Sequence, residues 1–252
     1  MIEDFCSRTA ILLTDAELQH LVQHHVFIAG LGGVGSYVAE ILGRVGLQRL
    51  TILDHDIVVS SNLNRQLVAL HSTLGQKKAE VMANRLWDIN PNVQLTVMTD
   101  FLEKHQAESV VTQGQFDFVI DCIDSIACKA ELVAACVRHH ISVASSMGAG
   151  NRLDVTQVKI AKLNQTSGCA LARELRGMLR KMDVKTNYPV VYSTEIPRQP
   201  LPHQAVSSEP PGRARAVNGT IAYLPALFGV MLAGYVIKQL LESSNESVRI
   251  KS

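Results

Sequence analysis

The stretch VFIAGLGGVGSYVAEIL, Val26 to Leu42, runs an apolar β pattern into a glycine-rich turn and then into a helical pattern. Gly30, Gly32 and Gly35 satisfy G-x-G-x-x-G, and Gly33 adds a fourth glycine. A turn of this kind, opening a helix, aims backbone N–H groups and the positive helix end at a phosphate. Taken alone it favours NAD, because Asp54 follows Gly35 at about the distance of a ribose-binding acid. Gly33 predicts a closer approach of backbone to ligand than the usual fingerprint allows.

Working outward, strands and helices alternate. Val26–Ala29 reads as a buried strand, Ser36–Val45 as a helix and Leu50–Asp54 as a second strand ending in an acid. A helix start is expected at Thr14 or Asp15, both good caps. Lys77–Asn90 reads as an amphipathic helix stopped by Pro91, with Val81, Leu86 and Ile89 among its apolar positions. Strands follow at Val93–Thr99, Phe116–Asp124 and Ser142–Ser146, with a helix at Ala127–His139. Later, Asp154–Leu163 reads as a strand and Cys169–Met182 as a helix. Ile196–Thr220, rich in Pro, Ser and Gly, reads as a mobile loop. The fold class is therefore α/β: a Rossmann-like, doubly wound, mainly parallel sheet, with a C-terminal extension of strands and an apolar helix. Residues 1–150 form the nucleotide-binding domain, and residues 151–252 extend it toward the substrate. Ligands of such sheets bind beyond the carboxyl ends of the strands, where the glycine turn, Asp54, Asp121 and Asp124 all fall.

The 252-residue chain has a net charge of only +1. That average conceals a division: residues 1–150 carry 10 Lys and Arg against 16 Asp and Glu, whereas residues 151–252 carry 14 against 7. A basic C-terminal part suits a polyanion. The five cysteines (Cys6, Cys122, Cys128, Cys136, Cys169) contain no C-x-x-C pair, which argues against structural zinc. With no secretory pattern in the first residues, they fit reduced thiols in a cytoplasm. Cys122 reads as core. Cys169, near a helix start, reads first as a buried cysteine and second as an acceptor thiol. The segment Thr220–Leu241 is close to the length of a membrane span, yet Pro225 and its small residues favour a buried core or dimer helix over a membrane contact.

The segment after the second strand, DHDIVVSSNLNRQL (Asp54–Leu67), changes the choice of nucleotide. It gathers Asn62, Asn64, Arg65 and Gln66, and Lys78 follows thirteen residues after Arg65. Two cations at the phosphate end suit a triphosphate under attack better than a hydride carrier. No G-x-x-x-x-G-K-[ST] loop is present, so the chain is not a P-loop ATPase.

Together, G-x-G-G-x-G-S, D-x-D, S-N-x-x-R-Q, a lysine and D-C-x-D resemble the adenylating domain of ubiquitin-activating-type enzymes over about residues 8–150. The resemblance implies ATP-dependent adenylation of a carboxylate with release of pyrophosphate. It implies that Gly30, Gly32, Gly33, Gly35, Asp54, Asn62, Asn64, Arg65, Gln66, Lys78, Asp124 and Ser125 hold ATP. Arg8, Arg65, Lys78 and Asp124 would be catalytic. Asp124 would carry magnesium, and Arg8 would reach across a homodimer into the partner's ATP site. Asp121 would merely orient the strand end. Beyond residue 150, SSMGAGNRLDVTQVKIAKL, the helix LARELRGMLRKM and the apolar tail resemble the tRNA threonylcarbamoyladenosine dehydratase subgroup in its shorter-loop form. Its members adenylate the threonyl carboxylate of the modified adenosine beside the anticodon and cyclise it, releasing AMP. The implied partners are tRNA, a second copy of the chain, and a cysteine-desulfurase or sulfur-acceptor system.

Arg173, Arg176 and Arg180 recur at i, i+3 and i+7 and share one helix face. With Arg152, Lys181 and Lys185 they form the expected tRNA-phosphate contacts, against the alternative of a solvated helix. Tyr188 and Tyr192 read as core strand residues rather than stacking platforms. Arg152, Arg213 and Arg215 are further expected at the threonyl group. An adenylating activator of a ubiquitin-like sulfur carrier is the second reading; the missing cysteine pairs and the basic C-terminal part weigh against it.

Overall fold

The computed structural model describes residues 4–199, 201–204 and 215–249. Its centre is a seven-stranded sheet built from β1 (His25–Ala29), β2 (Arg49–Leu53), β3 (Gln94–Met98), β4 (Phe118–Asp121), β5 (Ser142–Ser146), β6 (Val158–Lys162) and β7 (Pro189–Ser193), in the order β3-β2-β1-β4-β5-β7-β6. All pairings are parallel except β6 on β7. The order reverses between β1 and β4, where Val26 lies between Leu50 and Phe118, and that reversal opens a crevice at the carboxyl ends of the strands.

β1 is apolar at nearly every position because both faces are covered. Val26 and Ile28 join one core with α3 (Gly35–Arg44), α4 (Lys78–Ile89) and α8 (Tyr223–Arg249). Phe27 and Ala29 join the other with α5 (Ala107–Gln113), α6 (Ile126–Arg138) and α7 (Ala170–Lys181). At the N-terminus, α1 (Thr9–Leu12) precedes α2 (Asp15–Gln23). Thr14 caps α2: its Oγ1 accepts from the Glu17 amide, while the Glu17 carboxylate accepts from the Thr14 amide at 2.8 Å.

The apolar tail segment is a core helix. Leu224, Phe228, Leu232, Val236 and Leu240 of α8 recur every fourth residue and are buried. Tyr223–Ser243 has the length and hydropathy to cross a membrane, and here its stripe is spent on α3 and α2. Pro225 falls in the first turn, where the absent N–H leaves no bond unmade. A Cβ on Gly229 would lie 2.6 Å from the Val34 carbonyl oxygen, so the glycine admits the close crossing of α8 on α3.

Several boundaries differ from the sequence reading. β4 stops at Asp121, and Cys122–Asp124 leave the sheet toward the crevice. β6 starts only at Val158, because Asp154 caps a 3-10 turn over Val155–Gln157 through its bond from the Thr156 amide. α5 and α1 are too short to show a period, whereas β7 falls where Tyr188 and Tyr192 read as core strand residues. Within the expected loop 196–220, β8 (Leu201–Gln204) pairs antiparallel with β9 (Arg215–Val217). Arg213 lies outside the described residues.

Candidate active site

Three chain segments meet at the crevice. The first is the glycine turn after β1. Gly30 has φ +90°, and a Cβ there would lie 2.8 Å from the Cys122 carbonyl oxygen. A Cβ on Gly35 would lie 1.8 Å from the Gly30 carbonyl oxygen, so that position seats α3 on the strand. Gly32 is the open one: its would-be Cβ meets only the Gln66 side chain, at 3.7 Å. Gly33 has a further duty: its would-be Cβ lies 3.0 Å from Pro225, so this glycine admits the start of α8.

The second segment follows β2. Asp54 is buried, and its two oxygens accept from the Leu31 amide at 2.7 Å and the Asp56 amide at 2.9 Å. Burial pushes its carboxyl above the usual range, while Lys78 and the two N–H donors pull it back. Lys78 opens α4, is buried, and donates to Asp56 Oδ2 at 2.7 Å. Asp54, His55 and Asp56 converge as cation ligands would, but these oxygens already serve the two amides and Lys78.

Asn62 is buried and closes a turn by accepting from the Val59 amide at 3.1 Å, which is a scaffold role. Arg65 is half-buried; its Nη1 donates to the Ser61 carbonyl at 2.8 Å and to Asn64 Oδ1 at 2.9 Å. Asn64 in turn donates to the Thr220 carbonyl at 2.9 Å, joining this segment to the chain entering α8. Gln66 is buried over the glycine turn, and its Oε1 has no partner among the described residues. A buried acceptor without a donor is costly in a dry site, and it is met at a place built to receive a ligand. Ser36, the last residue of the glycine motif and given no role there, ties the segments together: Oγ donates to the Gly32 carbonyl at 2.7 Å and accepts from the Leu67 amide at 3.3 Å.

The third segment follows β4. Asp124 is exposed at the crevice, and Ser125 is the N-cap of α6. Beneath them Asp121 and Lys129 are fully buried and paired at 2.7 Å. Ser145 also donates to Asp121 Oδ2 at 2.6 Å, and the other Asp121 oxygen accepts from the Ile123 amide at 3.1 Å. Asp121 therefore shapes the turn that presents Asp124. Lys129 carries no signal in the sequence beyond being a charged residue inside an apolar helix.

The C-terminal basic residues divide. Arg173, Arg180 and Lys181 are exposed on α7, opposite its buried Ala172, Leu175 and Leu179. Arg176 is half-buried and donates to the Leu163 and Thr166 carbonyls and to Thr166 Oγ1. Arg152 corrects the sequence reading most clearly. It is buried and donates to the carbonyls of Gly148, Gly150, Gly168 and Glu195, so it staples three loops and has no free face for a phosphate. Replacing it by alanine is expected to cost about 2–3 kcal/mol, because buried carbonyls lose their donors; chemical denaturation measures it. Tyr188 and Tyr192 are buried, and Cys169 is buried at the start of α7. Burial pushes the Cys122 thiol up to about 12, which suits an inert thiol. Arg8 is exposed at the start of α1.

A glycine turn, a buried carboxylate and two cations thus meet at the switch point of a doubly wound sheet, the place where folds of this kind take a nucleotide phosphate. The chain belongs to the ThiF family, whose model matches residues 6–251. It is similar to the tRNA threonylcarbamoyladenosine dehydratase of Bacillus subtilis, with 35% identity over 246 residues that cover 96% of each chain. Among solved structures it is similar to the Escherichia coli tRNA N6-threonylcarbamoyladenosine dehydratase in complex with AMP, at 32% identity and a TM-score of 0.86, covering 98% of this chain and 99% of that one. The same Escherichia coli enzyme in complex with ATP is similar at 31% identity and a TM-score of 0.84, with the same coverage.

Proposed function

We propose that the protein is an ATP-dependent dehydratase of threonylcarbamoyladenosine in tRNA. The observation that carries this reading is the likeness to such dehydratases across both parts of the chain, the substrate-facing part included. The unpartnered Gln66 Oε1 and the open Gly32 fit a bound nucleotide. Backbone N–H groups of the glycine turn meet the phosphates in this reading, and Asp54, its carboxylate fixed by two amides, takes the ribose. Arg65 and Lys78 offset charge on the phosphates as the substrate carboxylate attacks the α-phosphorus and pyrophosphate departs. The acyl adenylate then reacts within its own molecule, which needs no enzyme thioester and gains from proximity. The products are the cyclised nucleoside and AMP, a net loss of one water.

Magnesium would supply a hard cation at the polyphosphate, and the exposed carboxylate of Asp124 is an oxygen donor of the right kind to hold it. Arg8 acts across a homodimer in this reading; Ile11 and Leu12 beside it, 74% and 84% exposed, are an apolar surface that a second copy would cover. Arg173, Arg180 and Lys181 contact tRNA phosphates, and the reaction is cytoplasmic. A sulfur-acceptor system as partner has no support in the site.

Incubation with ATP, magnesium and tRNA bearing threonylcarbamoyladenosine, followed by nucleoside mass spectrometry, tests the reading. An ATP-dependent loss of about 18 Da, one water of condensation, is expected. Absence of that loss, with pyrophosphate exchange appearing only on adding a ubiquitin-like carrier protein, overturns it. For the basic face, Arg173→Ala with Arg180→Ala is expected to weaken tRNA binding and flatten its salt dependence by about 2 in the log–log slope, one per phosphate contact. Binding titrations across a salt series measure this.

A further inference from the structure

A second concavity, about 400 Å³, opens beside the phosphate site. Three segments wall it: residues 151–153 beyond β5, 198–199 beyond β7, and 218–221 leading into α8. The walls are rigidly held. Asn151, at φ +61°, donates its amide to the Gly219 carbonyl at 2.8 Å and accepts from the Gly219 amide at 2.7 Å. Its Nδ2 donates to Asn218 Oδ1 at 2.8 Å, and its carbonyl accepts from the Arg198 amide at 2.8 Å. Beneath, Arg152 fixes the loops, and the Glu195 carboxylate accepts from the Leu153 and Asp154 amides. One wall is tied to the phosphate site, since the Thr220 carbonyl accepts from Asn64, which itself accepts from Arg65.

Against this fixed frame, the Arg198 guanidinium is exposed and has no partner among the described residues. Asn218 Nδ2 and the Gln199 amide are likewise uncommitted there, and Leu153 and Ile221 supply apolar wall. A single forked cation with two amides and a small apolar patch matches a compact acid that also bears a hydroxyl and a urea. We infer that this cleft is the acyl-side subsite, with Arg198 holding one oxygen of the threonyl carboxylate while the other attacks phosphorus. The inference rests on the dehydratase reading above. The physical reason is charge: a carboxylate approaching a polyphosphate is repelled, and Arg65 and Lys78 are engaged on the phosphate side. Arg198 is then a specificity-determining residue that acts on the acid and leaves the nucleotide alone.

The test compares wild type, Arg198→Ala and Arg198→Lys on tRNA with and without the threonylcarbamoyl group. In Arg198→Ala, kcat/KM on modified tRNA is expected to fall about 10- to 100-fold, the loss of one charge-assisted bond. The preference for modified over unmodified tRNA in binding falls with it. ATP binding without tRNA, and affinity for unmodified tRNA, stay within about twofold of wild type. Lysine restores part of the loss because it keeps the charge without the fork. An equal drop on both tRNAs would make Arg198 an ordinary phosphate contact and overturn the inference, as would unchanged kcat/KM. If wild type itself fails to dehydrate modified tRNA, the dehydratase reading falls and the inference with it.

Discussion

Arg65→Ala is expected to lower ATP-dependent turnover by about 10²- to 10³-fold while the fold stays intact. The geometry separates the two effects. Arg65 donates to the Ser61 carbonyl and to Asn64 Oδ1, both on exposed residues that water can satisfy after the side chain is cut. Stability should therefore shift by only about 1 kcal/mol, the net worth of a hydrogen bond that water can replace. The chemical effect is larger because the guanidinium is already held in place, so its charge meets the transition state without reorganisation. Burial also lowers its pKa, but an arginine stays charged at any working pH. Arg65→Lys keeps a charge and loses the fork, and should fall between alanine and wild type. Pyrophosphate exchange alongside thermal denaturation measures both quantities. Near-normal exchange in the alanine variant would move the phosphates away from this loop.

Lys129→Met is expected to destabilise the protein by about 3–5 kcal/mol, because it strands a buried carboxylate. Lys129 and Asp121 are each fully buried and lie 2.7 Å apart, and Lys129 also donates to the Ser146 carbonyl at 3.1 Å. For a chain of this size the loss is a fall in Tm of about 10 °C. Neutralising both partners, Lys129→Met with Asp121→Asn, should recover much of it, since no uncompensated charge remains. A double-mutant cycle read by denaturant unfolding isolates the coupling. Independent, additive losses would show that the pair contributes only packing. The pair also orders the site: Asp121 accepts from the Ile123 amide, so the turn carrying Asp124 is anchored in the core.

Much of the fold was legible because its signals are local. The apolar run at Val26–Ala29, the glycine turn and the helix after it form one unit whose period changes from 2 to 3.6 at Gly30. Thr14 and Pro91 marked helix boundaries through chemistry that acts within a turn or two of the chain. The end of β4 was not legible. The strand ends at Asp121 rather than Asp124 because Lys129, eight residues after Asp121, reaches back and pairs with it in the core.

In the candidate site, the sequence picked out the segments but not the duty of each member. Gly32 and Gly33 are adjacent and chemically identical, yet one faces Gln66 and the other Pro225, nearly two hundred residues away in the chain. Arg152 and Arg198 carry the same group and line the same cleft; one is buried and consumed by four carbonyls, the other is exposed.

The sequence by itself determined the alternation of the main strands and helices, the mainly parallel sheet and the glycine turn, because each follows from spacing and backbone conformation along a short run of residues. Only the tertiary structure decided which polar groups are scaffold and which face a ligand. Burial and the saturation of hydrogen bonds belong to the surroundings of a side chain, and those surroundings are assembled from segments far apart in the chain.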